Sequence, residues 1–259
     1  MTNSHVRHVL VTGASSGIGE ALARDYARAG HRVTVVARRL DRLEALAASV
    51  TGTMKCISAD LSDPANAEGV VAQAVATFGP VDVLLNNAGA QIVSPFEGVS
   101  PDDGEMTLRL NLLTPLRLMH AVLPSMQARR EGAIVNIASV AGLVPTPGMA
   151  HYCASKAGLA FASESLRGEL RGTGVVVVTV YPGPVDTAMM RAAVAKMKAE
   201  TTLADRMPAG DVATLSKLIR SAITRKQSRV IYPHVYGATR WFAPMAAAIT
   251  GRLTPVPKA

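Results

Sequence analysis

The chain has 259 residues, 49% of them apolar, and a mean hydropathy of +0.23, which excludes a disordered polymer and leaves material for one sizeable α/β core. No apolar run reaches the roughly 20 residues that span a bilayer, and the start, MTNSHVRHVLVTG, lacks the layout of a secretory signal. The net charge of +8 is uneven: residues 1–190 hold 15 Lys/Arg and 16 Asp/Glu, net −1, whereas residues 191–259 hold 12 and 3, net +9. A pI near 9.9 suggests nucleic acid, but no recognisable binding module accompanies it and aromatics are only 4%, so no nucleic-acid partner is expected. Two distant cysteines, Cys56 and Cys153, suit a reduced, cytoplasmic compartment, and the histidines show no metal-ligand spacing.

In chain order, Val6–Val11 reads as a strand. TGASSGIG follows, then the amphipathic GEALARDYARAG, stopped by Gly30. The turn glycines are Gly13, Gly17 and Gly19. Small residues between a strand and a helix N-terminus let backbone approach a pyrophosphate. A second strand, Arg32–Ala37, ends in Arg38 and Arg39, with no carboxylate for a ribose 2′-hydroxyl. Two guanidiniums there can chelate a 2′-phosphate, or they are surface arginines opening a helix over Asp41–Ala48. A third strand, Thr53–Ser58, leads to Asp60 and Leu61, then a helix near Pro64–Phe78. Strand Val81–Leu85 runs into Asn86-Asn87-Ala88-Gly89, where the asparagines can bind loop backbone and Ala88 and Gly89 leave room for a ribose. The helix expected over Glu105–Arg129 contains Asn111, and Pro115 four residues on predicts a kink and a freed carbonyl.

The apolar run Ala133–Ala138 reads as a buried strand ending at Ser139. Gly142, Pro145, Pro147 and Gly148 break it before a helix that carries Tyr152 and Lys156 and runs to about Arg171. Residues four apart share one helix face. A free phenol has a pKa of about 10, and lowering it by about three units needs about 4 kcal/mol. One cation about 4 Å away supplies roughly that at an effective dielectric of about 20, so Lys156 alone is expected to make Tyr152 a usable acid/base. Cys153 beside it is expected to pack rather than react. Val175–Val180 reads as a central strand ending in the turn Tyr181–Thr187. Residues 188–208, with Met189, Met190, Met197 and Met207, suit a lid over an apolar substrate, or a helix packing its methionines inward. A helix from about Ala209 to Arg225, a strand Arg229–Tyr232 and an apolar tail complete the chain.

Five motifs therefore occur in order: TGASSGIG, NNAG, Asn111, Ser139 thirteen residues before Tyr152, and Tyr152-x-x-x-Lys156. Together they resemble the short-chain dehydrogenase/reductase family, over roughly Val6 to Tyr232. The resemblance implies a single doubly wound Rossmann domain, α/β, with about seven parallel strands. It implies an enzyme moving hydride between NADP(H) and a carbonyl or secondary alcohol, with Asn111, Ser139, Tyr152 and Lys156 as its catalytic tetrad. Tyr152 would donate or take the proton and Ser139 would orient the substrate oxygen. Lys156 would lower the Tyr pKa and hold the nicotinamide-ribose hydroxyls, and Asn111 would anchor a water on the proton path. Gly13, Ser15, Ser16, Gly17, Ile18 and Gly19 would cradle the pyrophosphate, Asp60 and Leu61 the adenine, Asn87, Ala88 and Gly89 the ribose. Pro182, Gly183, Val185 and Thr187 would sit at the nicotinamide end. Arg38 and Arg39 in place of an acid point to NADP rather than NAD. The competing reading is a non-catalytic dinucleotide sensor or scaffold on the same fold.

Leu143, Val144, Pro145, Met149 and the methionines point to a small, mostly apolar substrate. The domain is expected to cover 1–237, leaving a basic, apolar tail at 238–259. Trp241–Thr250 is too short to span a bilayer. It can lie in a membrane interface, flanked by Arg240, Arg252 and Lys258, or pack on the domain or on a second subunit of a homo-oligomer. The tail also departs from the family's commoner close, which puts the usual tetramer in doubt.

Overall fold

A computed structural model describes residues 6–197, 209–242 and 244–248. Seven strands form one sheet: β1 (His8–Thr12), β2 (Arg32–Ala37), β3 (Thr53–Ser58), β4 (Val83–Asn86), β5 (Gly132–Ile137), β6 (Val175–Pro182) and β7 (Arg229–Tyr232). Their order is β3-β2-β1-β4-β5-β6-β7 and every pairing is parallel. Eight longer α-helices are α1 (Gly17–Arg28), α2 (Leu40–Ala48), α3 (Asn66–Phe78), α4 (Pro101–Leu108), α5 (Thr114–Arg129), α6 (Ala150–Glu169), α7 (Ala188–Met197) and α8 (Val212–Thr224), and a five-residue helix follows at 244–248.

Strand side chains alternate between two faces, and here both faces are covered. Val9 and Val11 pack with Leu22, Tyr26, Leu43, Leu215 and Ile219 of α1, α2 and α8. Leu10, Leu84 and Ile134 pack on the other side with Val70, Leu118, Val122 and Met126 of α3 and α5. This is the doubly wound Rossmann sheet that the sequence predicts. After β3 the chain returns to place β4 beside β1, so the strand order reverses there. The crevice at the carboxyl ends of such strands is where open α/β sheets bind ligands.

Two elements differ from expectation. The helix predicted over Glu105–Arg129 starts at Pro101, capped by Ser100, and is split by a π-helical turn at Arg109–Leu113. In that turn the Thr114 N–H donates to the Arg109 carbonyl, five residues back. Pro115 has no N–H to offer Asn111 in α register, so the strain of the proline is taken up as a widened turn. The methionine-rich stretch forms α7 up to Met197. Its remainder at 198–208, with Met207, lies outside the described residues, as do Thr250, Arg252 and Lys258.

Candidate active site

The cavity at the reversal point has a volume of about 730 Å³. Its first wall is the turn after β1. Gly13 has φ +66 and Gly17 φ +60, conformations that favour glycine. A Cβ on Gly13 would lie 2.7 Å from the Ala88 Cα, so this turn presses directly on the loop after β4. Thr12 locks the two: its hydroxyl accepts from the N–H groups of Asn87 and Ala88, both at 3.0 Å. The Asn87 amide donates to the carbonyls of Thr12 and Gly13. Ser16 caps α1 without a side-chain hydrogen bond, leaving first-turn N–H groups and the positive end of the helix dipole for an anion.

Gly13, Ser15, Ser16, Gly17 and Ile18 line this wall, but Gly19 does not. A Cβ on Gly19 would lie 2.4 Å from Asn87 Nδ2 and 2.5 Å from the Gly13 carbonyl oxygen. The lack of a side chain at Gly19 lets α1 pack against the Gly13 turn and Asn87 behind the lining. Arg38, Arg39, Asp60 and Leu61 line the end beside β2 and β3. Arg39 donates to the Ser15 hydroxyl at 3.2 Å. Hydrogen bonds from the N–H and hydroxyl of Ser62 hold the Asp60 carboxyl below its ordinary pKa, and Arg38 lowers it further. Asn87, Ala88 and Gly89 form the middle, and Pro182, Gly183, Val185 and Thr187 the far side.

Ser139, Tyr152 and Lys156 meet at the centre of the same cavity. Ser139 follows β5 in extended backbone; its hydroxyl accepts from the Ala141 N–H and hydrogen-bonds Tyr152. Lys156 lies one helical turn after Tyr152 on α6, is buried, and donates to the Ile137 carbonyl at 2.8 Å. Burial pushes its pKa down to about 8. Burial also pushes the Tyr152 phenol above its ordinary pKa, while the Ser139 hydrogen bond pulls it down. This corrects the expectation that Lys156 alone lowers the phenol. The ammonium sits 5.9 Å from the ring centroid, with burial opposing its own charge. Ser139 is the group that draws the pKa downward in this structure.

Asn111, fully buried, lies behind the lining. Its Oδ1 accepts from the Ala90 N–H, and its Nδ2 donates to the Ala90 carbonyl and to Ser155 Oγ. Ser155 in turn donates to the carbonyl of Tyr152. Both amide protons are therefore used to tie the loop after Gly89 to the helix that carries the phenol.

The opposite end is apolar: Val140, Val144, Met149, Met189, Met190 and Val194 line it. Leu143 and Pro145 are not in the lining. Cys153 is turned away, with its thiol on the backbone of Thr146 and its pKa pushed up by burial. Lining residues that no motif announces include Gln91, Thr146, Tyr236, Thr239 and Ala246. The last three stand more than 50 positions beyond the motifs, and no local pattern signals that the chain returns to the cavity.

The sequence profile of the short chain dehydrogenase family matches residues 7–198. The chain belongs to the short-chain dehydrogenase family. Nodulation protein G of Rhizobium sp. strain N33 is 39% identical over 183 residues, covering 71% of this chain and 75% of that protein. A dehydrogenase/reductase SDR family protein 7-like of Anopheles gambiae is 31% identical over 252 residues, covering 93% and 80%. The solved short-chain dehydrogenase from Sphingobium yanoikuyae in complex with NADPH is 32% identical. It covers 98% of both chains with a TM-score of 0.80. Short-chain dehydrogenases are oxidoreductases that use a nicotinamide dinucleotide. The glycine turn, the open helix N-terminus and the cavity suit such a group: Gly13, Ser15, Ser16 and Gly17 line the cavity where α1 begins, and backbone N–H groups left without a cap there can meet its phosphates.

Proposed function

We propose that this short-chain dehydrogenase interconverts a mostly apolar carbonyl compound and its secondary alcohol with NADP(H), Tyr152 acting as proton donor and acceptor. The observation that carries the reading is one continuous cavity with three chemistries in sequence. Arg38 and Arg39 line one end, Ser139, Tyr152 and Lys156 the middle, and methionine and valine side chains the other end. The dinucleotide, when bound, supplies or receives the hydride.

The chain's own groups handle the oxygen and its proton. Ser139 donates to the substrate oxygen and fixes it beside the phenol. Tyr152 then gives that oxygen its proton in reduction or takes one in oxidation. Burial keeps the phenol protonated near neutral pH, the form reduction needs. As the proton leaves, the Lys156 ammonium would be the nearest cation on the same helix face, and it would hold the nicotinamide-ribose hydroxyls of a bound dinucleotide. Because the Asn111 amide is bound to Ala90 and Ser155, a water on the proton path falls to its main-chain carbonyl. A homo-oligomer also belongs to this reading: Phe161 on α6 and Leu113 in the neighbouring π turn are exposed and supply an apolar face.

The preference for NADP(H) is supported by Arg38, Arg39 and Ser15 at the cavity end and by the NADPH complex of the Sphingobium relative. Arg38→Ala should weaken NADPH binding by roughly 1.5–3 kcal/mol, the scale of a charged hydrogen bond, and leave NADH binding nearly unchanged. A wild type that binds NADH more tightly in a direct titration contradicts the assignment. NADPH bound but never consumed across a broad panel of apolar ketones would favour the sensor reading instead.

A further inference from the structure

The C-terminal segment has two roles at once. It runs through a 3-10 helix at His234–Arg240 and a short helix at 244–248. Tyr236, Thr239 and Ala246 line the apolar end of the cavity. From the same segment Val235 is 63% exposed, Trp241 74%, Phe242 56% and Met245 58%. α7 adds Met189, 44% exposed and also part of the lining. An apolar cavity is thus bordered by large apolar side chains in water, a concentration that marks a docking surface.

Charge selects the occupant. Asp211 is the last acidic residue of the chain; from Val212 onward there are eight Lys/Arg and no Asp/Glu. Arg240 falls inside the segment and Lys196 is exposed on α7. A second copy using the same face would bring two basic C-terminal parts together. An anionic lipid surface meets both the apolar side chains and the positive charge. No described helix is long and apolar enough to cross a membrane, so the contact is peripheral.

We propose that segment 234–248 docks this dehydrogenase on anionic lipid bilayers and holds the substrate end of the cavity against the lipid, so that its substrate is an apolar carbonyl or alcohol dissolved in the membrane. The substrate part of this proposal rests on the catalytic reading above; the docking part does not.

Trp241 is the sole tryptophan and lies in the patch, so its fluorescence reports docking directly. Full-length protein is titrated with phosphatidylcholine vesicles containing one part in three of phosphatidylglycerol. The emission should move to shorter wavelength and be quenched by brominated acyl chains, with weaker binding to pure phosphatidylcholine and at high salt. Phe242→Ser with Met245→Ser, outside the cavity lining, should lower the vesicle affinity about tenfold or more. Its turnover of a water-soluble ketone should stay at the wild-type level. Unchanged emission with anionic vesicles overturns the docking proposal. So does emission that shifts with protein concentration alone, in step with a larger sedimenting species that the double variant abolishes, since a second copy then covers the patch. Docking without turnover of any membrane-dissolved ketone would fail the catalytic reading and spare the docking. Docking with turnover only of water-soluble ketones would overturn the substrate claim.

Discussion

Lys156 is the residue whose environment the sequence describes least completely. Spacing places it one turn from Tyr152, but does not show that the ammonium is buried. Burial pushes the ammonium from 10.5 down to about 8, so between those values the unfolded chain binds the proton and the folded chain does not. The stability contribution of Lys156 is therefore lowest below pH 8 and rises as pH climbs through that window. The raised Tyr152 pKa acts oppositely only above pH 10. Urea unfolding of wild type and Lys156→Met at pH 7.5 and pH 10 should show wild type gaining about 2–3 kcal/mol relative to the variant, from about two pKa units. An equal pH response in both proteins would contradict a buried, depressed lysine. The same scale shows why the Tyr–Lys pair was legible and its energetics were not. Identity and helical spacing are local, whereas the Ile137 carbonyl that holds Lys156 is 19 residues away.

At the scale of elements, β2, β3 and β7 begin and end where the sequence places them; β2 is buried along nearly its whole length and reads as an unbroken run, whereas the edge strands β3 and β7 are only partly buried. The interrupted helix around Asn111 is harder. Proline announced a disturbance, but a kink and a π turn satisfy the same local pattern. The contact that distinguishes them is the clamp from Asn111 to Ala90, 21 residues earlier. Asn111→Ala leaves the Ala90 N–H and carbonyl without that partner. It should cost about 1–3 kcal/mol of stability in thermal or urea unfolding, with turnover falling as the loop after Gly89 loosens. A variant as stable as wild type would show that the clamp carries no weight.

For the molecule as a whole, the location of the site follows from motifs, since the glycine turn, NNAG and Ser139 each follow the carboxyl end of a parallel strand and Tyr152 opens the helix after β5; the strand order does not. The C-terminal return was not legible. The tail reads as apolar and basic in either role, and only the fold puts Tyr236, Thr239 and Ala246 into the cavity while leaving Trp241 and Phe242 outside. The proposed reaction depends most on proton transfer at Tyr152 in that cavity. The direct measurement is NADPH oxidation by Tyr152→Phe with an apolar ketone that the wild type reduces, alongside NADPH affinity by titration. Turnover should fall by about 10² or more, the scale of a lost general acid, while NADPH affinity stays near wild type. Turnover at the wild-type level in Tyr152→Phe would contradict the mechanism.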